Sequence, residues 1–382
     1  MKKPTYYWLT RFAAAAVVLS LAVACDDDST GPGPSVDDVD PSGTAAAVGA
    51  IVGSLDDNEP LESYSTVGAA IGAALGGGVL APPTLDIEPQ NLAQALGKYS
   101  QLLGSCSVEP GAVMAGPLIP TELNNTLFVW DPQATPTPGY VPGGLLEEDP
   151  YPTFDNVRFM LYRIAFDPFG GWEVLVDQPV GYVDLVDESV DPTFALRIVV
   201  TPTGGAPVVD YAVGCAIEGF TGTLTASGYI TDGQTQVNLD LLAELNFGTD
   251  QVTLDFDLEV PSANLAIHFD AVAASPDEFE SETGTFSANF WVTRNNTIRF
   301  SLDADLGNLD GLVQFCDAAE NCANAALISG TFAQPVITDA QGNVLNPEAI
   351  AALGELFNAA GAFVEHLFPL LGPATSICLG GL

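Results

Sequence analysis

Three carboxylates, Glu244, Asp255 and Asp270, are the best candidates for chemistry in this sequence. They lie in consecutive stretches in which apolar and polar residues alternate, a period typical of β-strands. Aligning the apolar faces places the three side chains in one row across neighbouring strands, roughly 5 Å apart. Opposed like charges destabilise a sheet, so bound Ca²⁺, salt or a raised carboxyl pKa should offset the repulsion. The row is interpreted either as a solvated acidic face in a saline medium or as a Ca²⁺ site.

Two hairpin registers lead to this row. In the first, Phe247 lies opposite Val252 across a four-residue loop, and Glu244 then faces Asp255. The second hairpin turns through Pro261–Asn264 and sets Asp255 opposite Asp270. By the same count, Asp257 lies opposite His268, one position away along the two strands.

A third hairpin, within residues 286–304, predicts a cation–π pair. Alignment of its apolar faces requires a three-residue turn at Arg294–Asn296, and asparagine suits a left-handed turn position. On the polar face, Trp291 then lies opposite Arg299. A guanidinium over an indole is worth about 0.5–1 kcal/mol at an exposed site.

Other catalytic chemistry lacks support in the sequence. The two histidines, His268 and His366, are about 100 residues apart, and Lys98 is the only lysine beyond the first three residues. No zinc-protease, serine-hydrolase or phosphate-loop motif occurs. No catalytic residue is therefore predicted, and the protein is expected not to be an enzyme. A hydrolase that uses two acidic residues stays open as a less favoured alternative.

The strand pattern determines the fold class. Alternating stretches and turn residues follow one another from about residue 123, and so many antiparallel strands rarely form one flat sheet. We predict a mainly β fold, with a large curled antiparallel sheet as a half-barrel or open barrel. N-terminal and C-terminal helices should pack on its apolar face. The alternative is a β-sandwich with flanking helices.

Helical segments flank this β body. Residues 44–122 form an Ala/Gly-rich helical region, with helices expected at Ala45–Leu55, Ser65–Leu80 and Pro89–Leu103. The β body extends over residues 123–345. Residues 346–382 begin with Asn346 as a helix cap and continue as an apolar helix, which must be buried.

The N-terminus has the layout of an export signal. Basic residues come first, an apolar stretch follows, and small residues precede Cys25. The segment Leu21-Ala22-Val23-Ala24-Cys25 resembles the lipobox of bacterial lipoproteins, although the leucine stands one position earlier than is usual there. The resemblance implies that residues 1–24 are removed and that Cys25 is lipidated. Residues 25–43, acidic and rich in Gly and Pro, then form a flexible tether.

The charge of the chain limits its partners. Removal of Lys2, Lys3 and Arg11 with the signal leaves 6 basic residues against 49 acidic ones, a formal charge of −43. Such a surface repels nucleic acid and anionic lipid head groups. The expected partners are the membrane, through the lipid anchor, and an envelope protein or a hydrophobic small molecule.

The remaining cysteines predict one disulfide. Cys316 and Cys322 flank a short polar segment between two predicted strands, so a bond between them would clamp a hairpin tip. The pairing of Cys106, Cys215 and Cys378 stays open, because the number of cysteines is odd.

Taken with the anchor, these features predict an exported protein, lipid-anchored in the bacterial cell envelope at the outer membrane or cell surface, with the periplasmic side not excluded. Its role is expected to be non-catalytic, either structural or partner-binding. The alternative is a carrier that holds a hydrophobic ligand in the concavity of the sheet.

Overall fold

The computed structural model describes residues 40–75 and 118–359, with gaps at 136, 146–156, 167–170, 191–192, 247, 250, 275–284, 306–307, 320, 332–333, 344, 346–347, 349–350, 353 and 357. The export signal, Cys25 and most of the tether lie outside these residues, as does a helix expected at residues 89–103.

Two helices open the described chain. Helix α1 covers Pro41–Asp56 and helix α2 covers Glu59–Ala74. Each starts at a side-chain cap: the Asp40 carboxylate accepts from the Gly43 amide at 2.8 Å, and the Asn58 side chain accepts from the Leu61 amide at 3.2 Å. These caps explain why both helices begin earlier than their Ala/Gly-rich stretches.

Helical residues also follow the last strand. The described residues between 348 and 359 are helical. Among them, Leu356 is fully buried in the hydrophobic core, and the Glu355 carboxylate accepts from the Ser42 hydroxyl at 3.1 Å. This contact brings the end of the described chain to the first turn of α1. Residues 360–382 of the predicted C-terminal helix lie outside the described residues.

Fifteen strands form most of the rest of the described chain. They are β1 (Thr126–Asp131), β2 (Gly139–Leu145), β3 (Val157–Phe166), β4 (Trp172–Asp187), β5 (Phe194–Pro202), β6 (Val209–Glu218), β7 (Thr221–Thr231), β8 (Gln236–Asn246), β9 (Gln251–Val260), β10 (Leu265–Ala274), β11 (Thr285–Arg294), β12 (Asn296–Asp305), β13 (Asn308–Cys316), β14 (Cys322–Thr331) and β15 (Gln334–Thr338).

All fifteen strands belong to one curled, open sheet, which confirms the predicted mainly β class. From β3 to β15 each strand pairs antiparallel with the next one in the sequence. The exception is β1, which lies between β2 and β3 and runs parallel to β3. The sheet is therefore antiparallel in all but one of its pairs, and β2 and β15 are its two edge strands.

Helices α1 and α2 pack against one face of the sheet. The buried side chains of α2, such as Tyr64 and Val67, share one core with strand residues such as Phe159. The Tyr64 and Tyr211 hydroxyls are 2.9 Å apart in this interface. At the two ends of α1, the Gly43 carbonyl accepts from Arg294 at 2.7 Å, and Ser54 lies beside the Asp232 carboxylate. Helix α1 thus reaches from the β11–β12 turn to the β7–β8 turn.

Two of the three hairpin registers used above are confirmed. Asp255 pairs with Asp270 across β9–β10, and Trp291 pairs with Arg299 across β11–β12. Asn264 and Asn295 occupy left-handed positions in the connecting turns, with φ of 50° and 68°. This conformation suits asparagine, and it fixes both registers.

The third register is wrong by two residues. Leu245, rather than Phe247, lies opposite Val252, so Glu244 faces Thr253 instead of Asp255. The cause lies in the turn: the Asn246 side-chain oxygen accepts from the Gly248 amide at 2.9 Å and from the Thr249 amide at 3.1 Å. This Asx turn ends β8 at Asn246. A shift of two residues keeps every side chain on its face, so the apolar pattern does not exclude it.

Candidate functional site

One polar row crosses the outer face of the sheet, the face opposite the helices. Its members are directly opposed on consecutive strands from β8 to β13, and we call them the outer row: Asp240, Asp257, His268, Trp291, Arg299 and Gln314. The row combines carboxylates, an imidazole, an indole, a guanidinium and a side-chain amide on one accessible face.

His268 lies at the acidic side of the outer row. Its Nδ1 is 2.5 Å from an Asp257 carboxylate oxygen and 3.9 Å from Asp255, and its Nε2 is 3.5 Å from Asp270. Three carboxylates therefore surround one imidazole, which when protonated offsets part of their mutual repulsion.

Trp291 lies between two cationic or titratable side chains. The His268 ring stacks on the indole with centroids 3.7 Å apart and planes 22° from parallel. The guanidinium carbon of Arg299, on the next strand, is 5.9 Å from the indole centroid. The predicted cation–π pair is therefore present, and the imidazole stack adds a contact that the sequence interpretation did not include.

Asp255 and Asp270 form a second, shorter row beside the outer row. Burial raises the pKa of the Asp255 carboxyl; His268 opposes that rise, and Asp257, Asp270 and Asp240 add to it. Asp270 is held by a hydrogen bond of 2.9 Å from the Asn289 side-chain amide. The place predicted for Glu244 in this row is taken by Leu242.

A cation would find its ligands at Asp255, Asp257 and His268. One ligand atom from each of these residues lies within 4.8 Å of the others. Two carboxylates and one imidazole form a donor set for zinc or a similar transition metal, whereas Ca²⁺ prefers oxygen ligands alone. This group shares only Asp255 with the predicted set of Glu244, Asp255 and Asp270. The β9–β10 register predicted from the sequence already places Asp257 opposite His268. This pairing indicates the group of Asp255, Asp257 and His268.

Every arginine of the described chain has an internal contact. The pairs are Arg158 with Asp184, Arg163 with Glu59, Arg197 with Asp210, Arg294 with the Gly43 carbonyl, and Arg299 with Trp291. These five make up most of the 6 basic residues that follow Arg11 in the sequence, and the sixth, Lys98, lies outside the described residues. The arginines thus serve internal cohesion, and the surface keeps an excess of carboxylates.

The predicted disulfide between Cys316 and Cys322 is present, and the two residues are directly opposed across the β13–β14 hairpin. Inside the tip, the Asp317 carboxylate accepts from the Ala319 and Asn321 amides at 2.8 and 2.9 Å. Cys215 is buried on β6. Cys25, Cys106, Cys378 and His366 lie outside the described residues.

None of the helices among the described residues combines the length and the apolar composition needed to cross a bilayer. The chain matches no family model, no curated protein and no solved structure.

Proposed function

We propose that this chain is a lipid-anchored protein of the bacterial cell envelope with a structural or partner-binding role rather than a catalytic one. The anchor is Cys25, supported by the lipobox resemblance of residues 21–25. The observation that carries the role is the outer face of β8–β13: a broad acidic surface whose cationic and aromatic side chains contact one another.

The charges of this surface indicate what it would bind. The described arginines already contact groups of the same chain, so a partner has to bring its own positive charge. Basic segments of other envelope proteins and dissolved cations meet this requirement. Nucleic acids and anionic lipids do not.

The position of the helices favours this role over that of a carrier. A carrier would need an apolar cavity in the concave face. In the described residues, side chains of α1 and α2 such as Val48 and Ile71 are fully buried in the same core as the strands. They occupy space that a hydrophobic ligand would require.

A bound cation remains part of the proposal. Asp255, Asp257 and His268 would hold it, and it would relieve the repulsion between the carboxylates of neighbouring strands. The mixed donor set favours Zn²⁺ over the Ca²⁺ expected from three carboxylates. Melting the protein with added Zn²⁺, Ca²⁺ or a chelator distinguishes the two, since only the bound ion raises the melting temperature.

The anchor is tested by mass spectrometry of the mature N-terminus. We expect residues 1–24 to be absent and Cys25 to be the first residue, carrying acyl chains, in protein recovered from the membrane fraction. A Cys25→Ser variant is the matched control and should lose the acyl mass. A mature chain that starts beyond Cys25 and is recovered free of membranes would contradict the proposed lipid anchor.

A further inference from the structure

The two ends of the sheet differ in their turns. We call the end that carries the Cys316–Cys322 tip the disulfide end, and the end that carries the β6–β7 turn the Phe220 end. At the disulfide end, the turns at 203–207, 232–235, 261–264, 295, 317–321 and 339–343 contain only Asp, Asn, Glu, Gln, Ser, Thr, Gly, Ala and Pro. Among the described residues of that end, the exposed large apolar side chains belong to one hairpin, β3–β4, where Phe166 and Trp172 face each other.

At the Phe220 end, two connections between successive strands expose a large apolar side chain among their described residues. Val190, between β4 and β5, is 74% exposed, and Phe220, between β6 and β7, is 69% exposed. The β6–β7 turn consists of Gly219 and Phe220 alone, with Gly219 at φ 62°. So short a turn leaves Phe220 at the outermost point of the hairpin.

We propose that the Phe220 end docks on a lipid surface, with Val190 and Phe220 inserted at the boundary between head groups and acyl chains. The chemistry fits because aromatic and aliphatic side chains are stabilised at that depth. The inference rests on the lipid anchor of the proposed function to bring the chain to a membrane. It goes further by giving the protein a preferred orientation there.

The shape of the contact favours lipid over a protein partner. Turn tips at the end of a single sheet form a line one hairpin wide, whereas a stable protein interface needs about 800 Å² on each partner. A lipid surface surrounds each protruding side chain separately and needs no matching contour.

The charges at this end select the type of lipid. Glu188 and Glu218 are exposed beside Val190 and Phe220. They would repel anionic head groups, but they complement the outward ammonium group of a zwitterionic head group such as phosphatidylcholine. The lipid surface is therefore zwitterionic.

The tether is long enough for this orientation, although α1 begins near the disulfide end, where Gly43 contacts Arg294. The segment from Cys25 to Asp40 would span at most about 50 Å when extended at ~3.3–3.6 Å per residue. A strand of the sheet is about 33–36 Å long at ~3.3 Å per residue. The anchor can consequently lie at the same membrane as the Phe220 end.

The experiment places one new indole at each end of the sheet. Full chains carrying Phe220→Trp or the matched Phe166→Trp, which alters a residue 61% exposed at the disulfide end, are reconstituted in phosphatidylcholine vesicles with brominated acyl chains. Fluorescence of the parent chain is subtracted. We expect bromine to remove at least half of the emission added by Phe220→Trp and little of that added by Phe166→Trp. Including an anionic lipid should weaken the quenching.

Equal quenching of the two variants, or none for Phe220→Trp, overturns the proposal. An emission shift of Phe220→Trp that depends on protein concentration without lipid also overturns it, because the tips then contact a second copy. Failure of the anchor is seen separately, as missing acyl mass. If the chain is not acylated, the same measurement is made with excess vesicles. Absence of quenching for Phe220→Trp under that condition also overturns the docking proposal.

Discussion

His268 and Trp291 stack across β10 and β11, and Arg299 approaches the same indole from β12. Because the three residues are directly opposed on consecutive strands, the indole bridges the carboxylate-rich and arginine-bearing parts of the outer row. This relationship makes Trp291 a natural reporter of the state of the outer face.

Exchange of Arg299 for Ser should change the emission of Trp291 and lower the free energy of unfolding by no more than about 1 kcal/mol, the range of a cation–π contact at an accessible site. Fluorescence and urea denaturation measure the two effects. Arg163→Ser is the matched control, because it removes an exposed arginine paired with Glu59 and has no contact with Trp291. Identical spectra for the parent and Arg299→Ser would contradict the contact.

With a chelator present, so that no cation occupies the carboxylates, replacement of Asp255 by Asn should stabilise the protein at neutral pH. Burial raises the pKa of this carboxyl, so its ionisation opposes folding above the folded-state pKa. As the pH falls through that pKa towards the unfolded value near ~3.9, the carboxyl is protonated and the advantage of Asn disappears. Denaturation at pH 7 and at pH 4 tests both statements.

The control for Asp255→Asn is Glu244→Gln, which also separates the two β8–β9 registers. Glu244 lies opposite Thr253, so neutralising it should bring a smaller gain than neutralising Asp255. If Glu244→Gln stabilised the protein as much as Asp255→Asn, the register derived from the apolar pattern would be favoured instead.

Removal of the buried arginine should be far more costly than removal of a half-exposed one. Arg158 and Asp184 form a bidentate pair at 2.6 and 2.8 Å, with side chains only 1% and 2% exposed. Arg158→Met leaves a buried carboxylate without its cation, a loss of roughly 3–5 kcal/mol.

Arg197→Met is the matched comparison for this loss. Arg197 makes the same bidentate contact with Asp210, but its side chain is 43% exposed. Water can replace the lost partner there, so the expected loss is at most about 1 kcal/mol. Equal losses in urea denaturation would show that burial does not govern these pairs.

Loss of the disulfide should destabilise the β13–β14 hairpin without abolishing the fold. Closing so short a loop contributes roughly 2 kcal/mol through the entropy of the unfolded chain. The double replacement Cys316→Ser with Cys322→Ser is compared with the oxidised parent by thermal melting. Peptide mapping without reduction should recover the two cysteines linked, whereas two alkylatable thiols would contradict the bond.

The sequence was sufficient for the fold class and for most strand positions, because two-residue alternation reports directly on a sheet with one buried face. The same regularity limits the prediction of strand register, since alternation fixes a register only to within multiples of two residues. At Asn264 and Asn295 the turn chemistry supplied the missing information. At Asn246 the side chain caps its own turn, and the apolar pattern does not report this cap. The register predicted from that pattern therefore placed Glu244 opposite Asp255, where the structure has Leu242.

The two edge strands were not predicted, for a different reason. Strand β2 contains Pro142, Gly143 and Gly144, and β15 contains Pro335, residues that disfavour central strands. An edge strand needs hydrogen-bonding partners on one side only, so it tolerates them. The parallel pairing of β1 with β3 was not predicted either, because β2 lies between these two strands in the sequence and local residue patterns do not report such a pairing. The candidate cation set could have been predicted from the sequence, because the predicted β9–β10 register already places His268 opposite Asp257.

The order of the strands bears on how the molecule is assembled during synthesis or export. From β3 onward every strand pairs with the one that precedes it in the chain. A chain that emerges with its N-terminus first can therefore add one strand at a time to a growing edge, without waiting for distant segments. Local pairing of this kind has a low entropic cost and favours fast folding. Only the insertion of β1 between β2 and β3 breaks the sequence, and it involves the strands that emerge first.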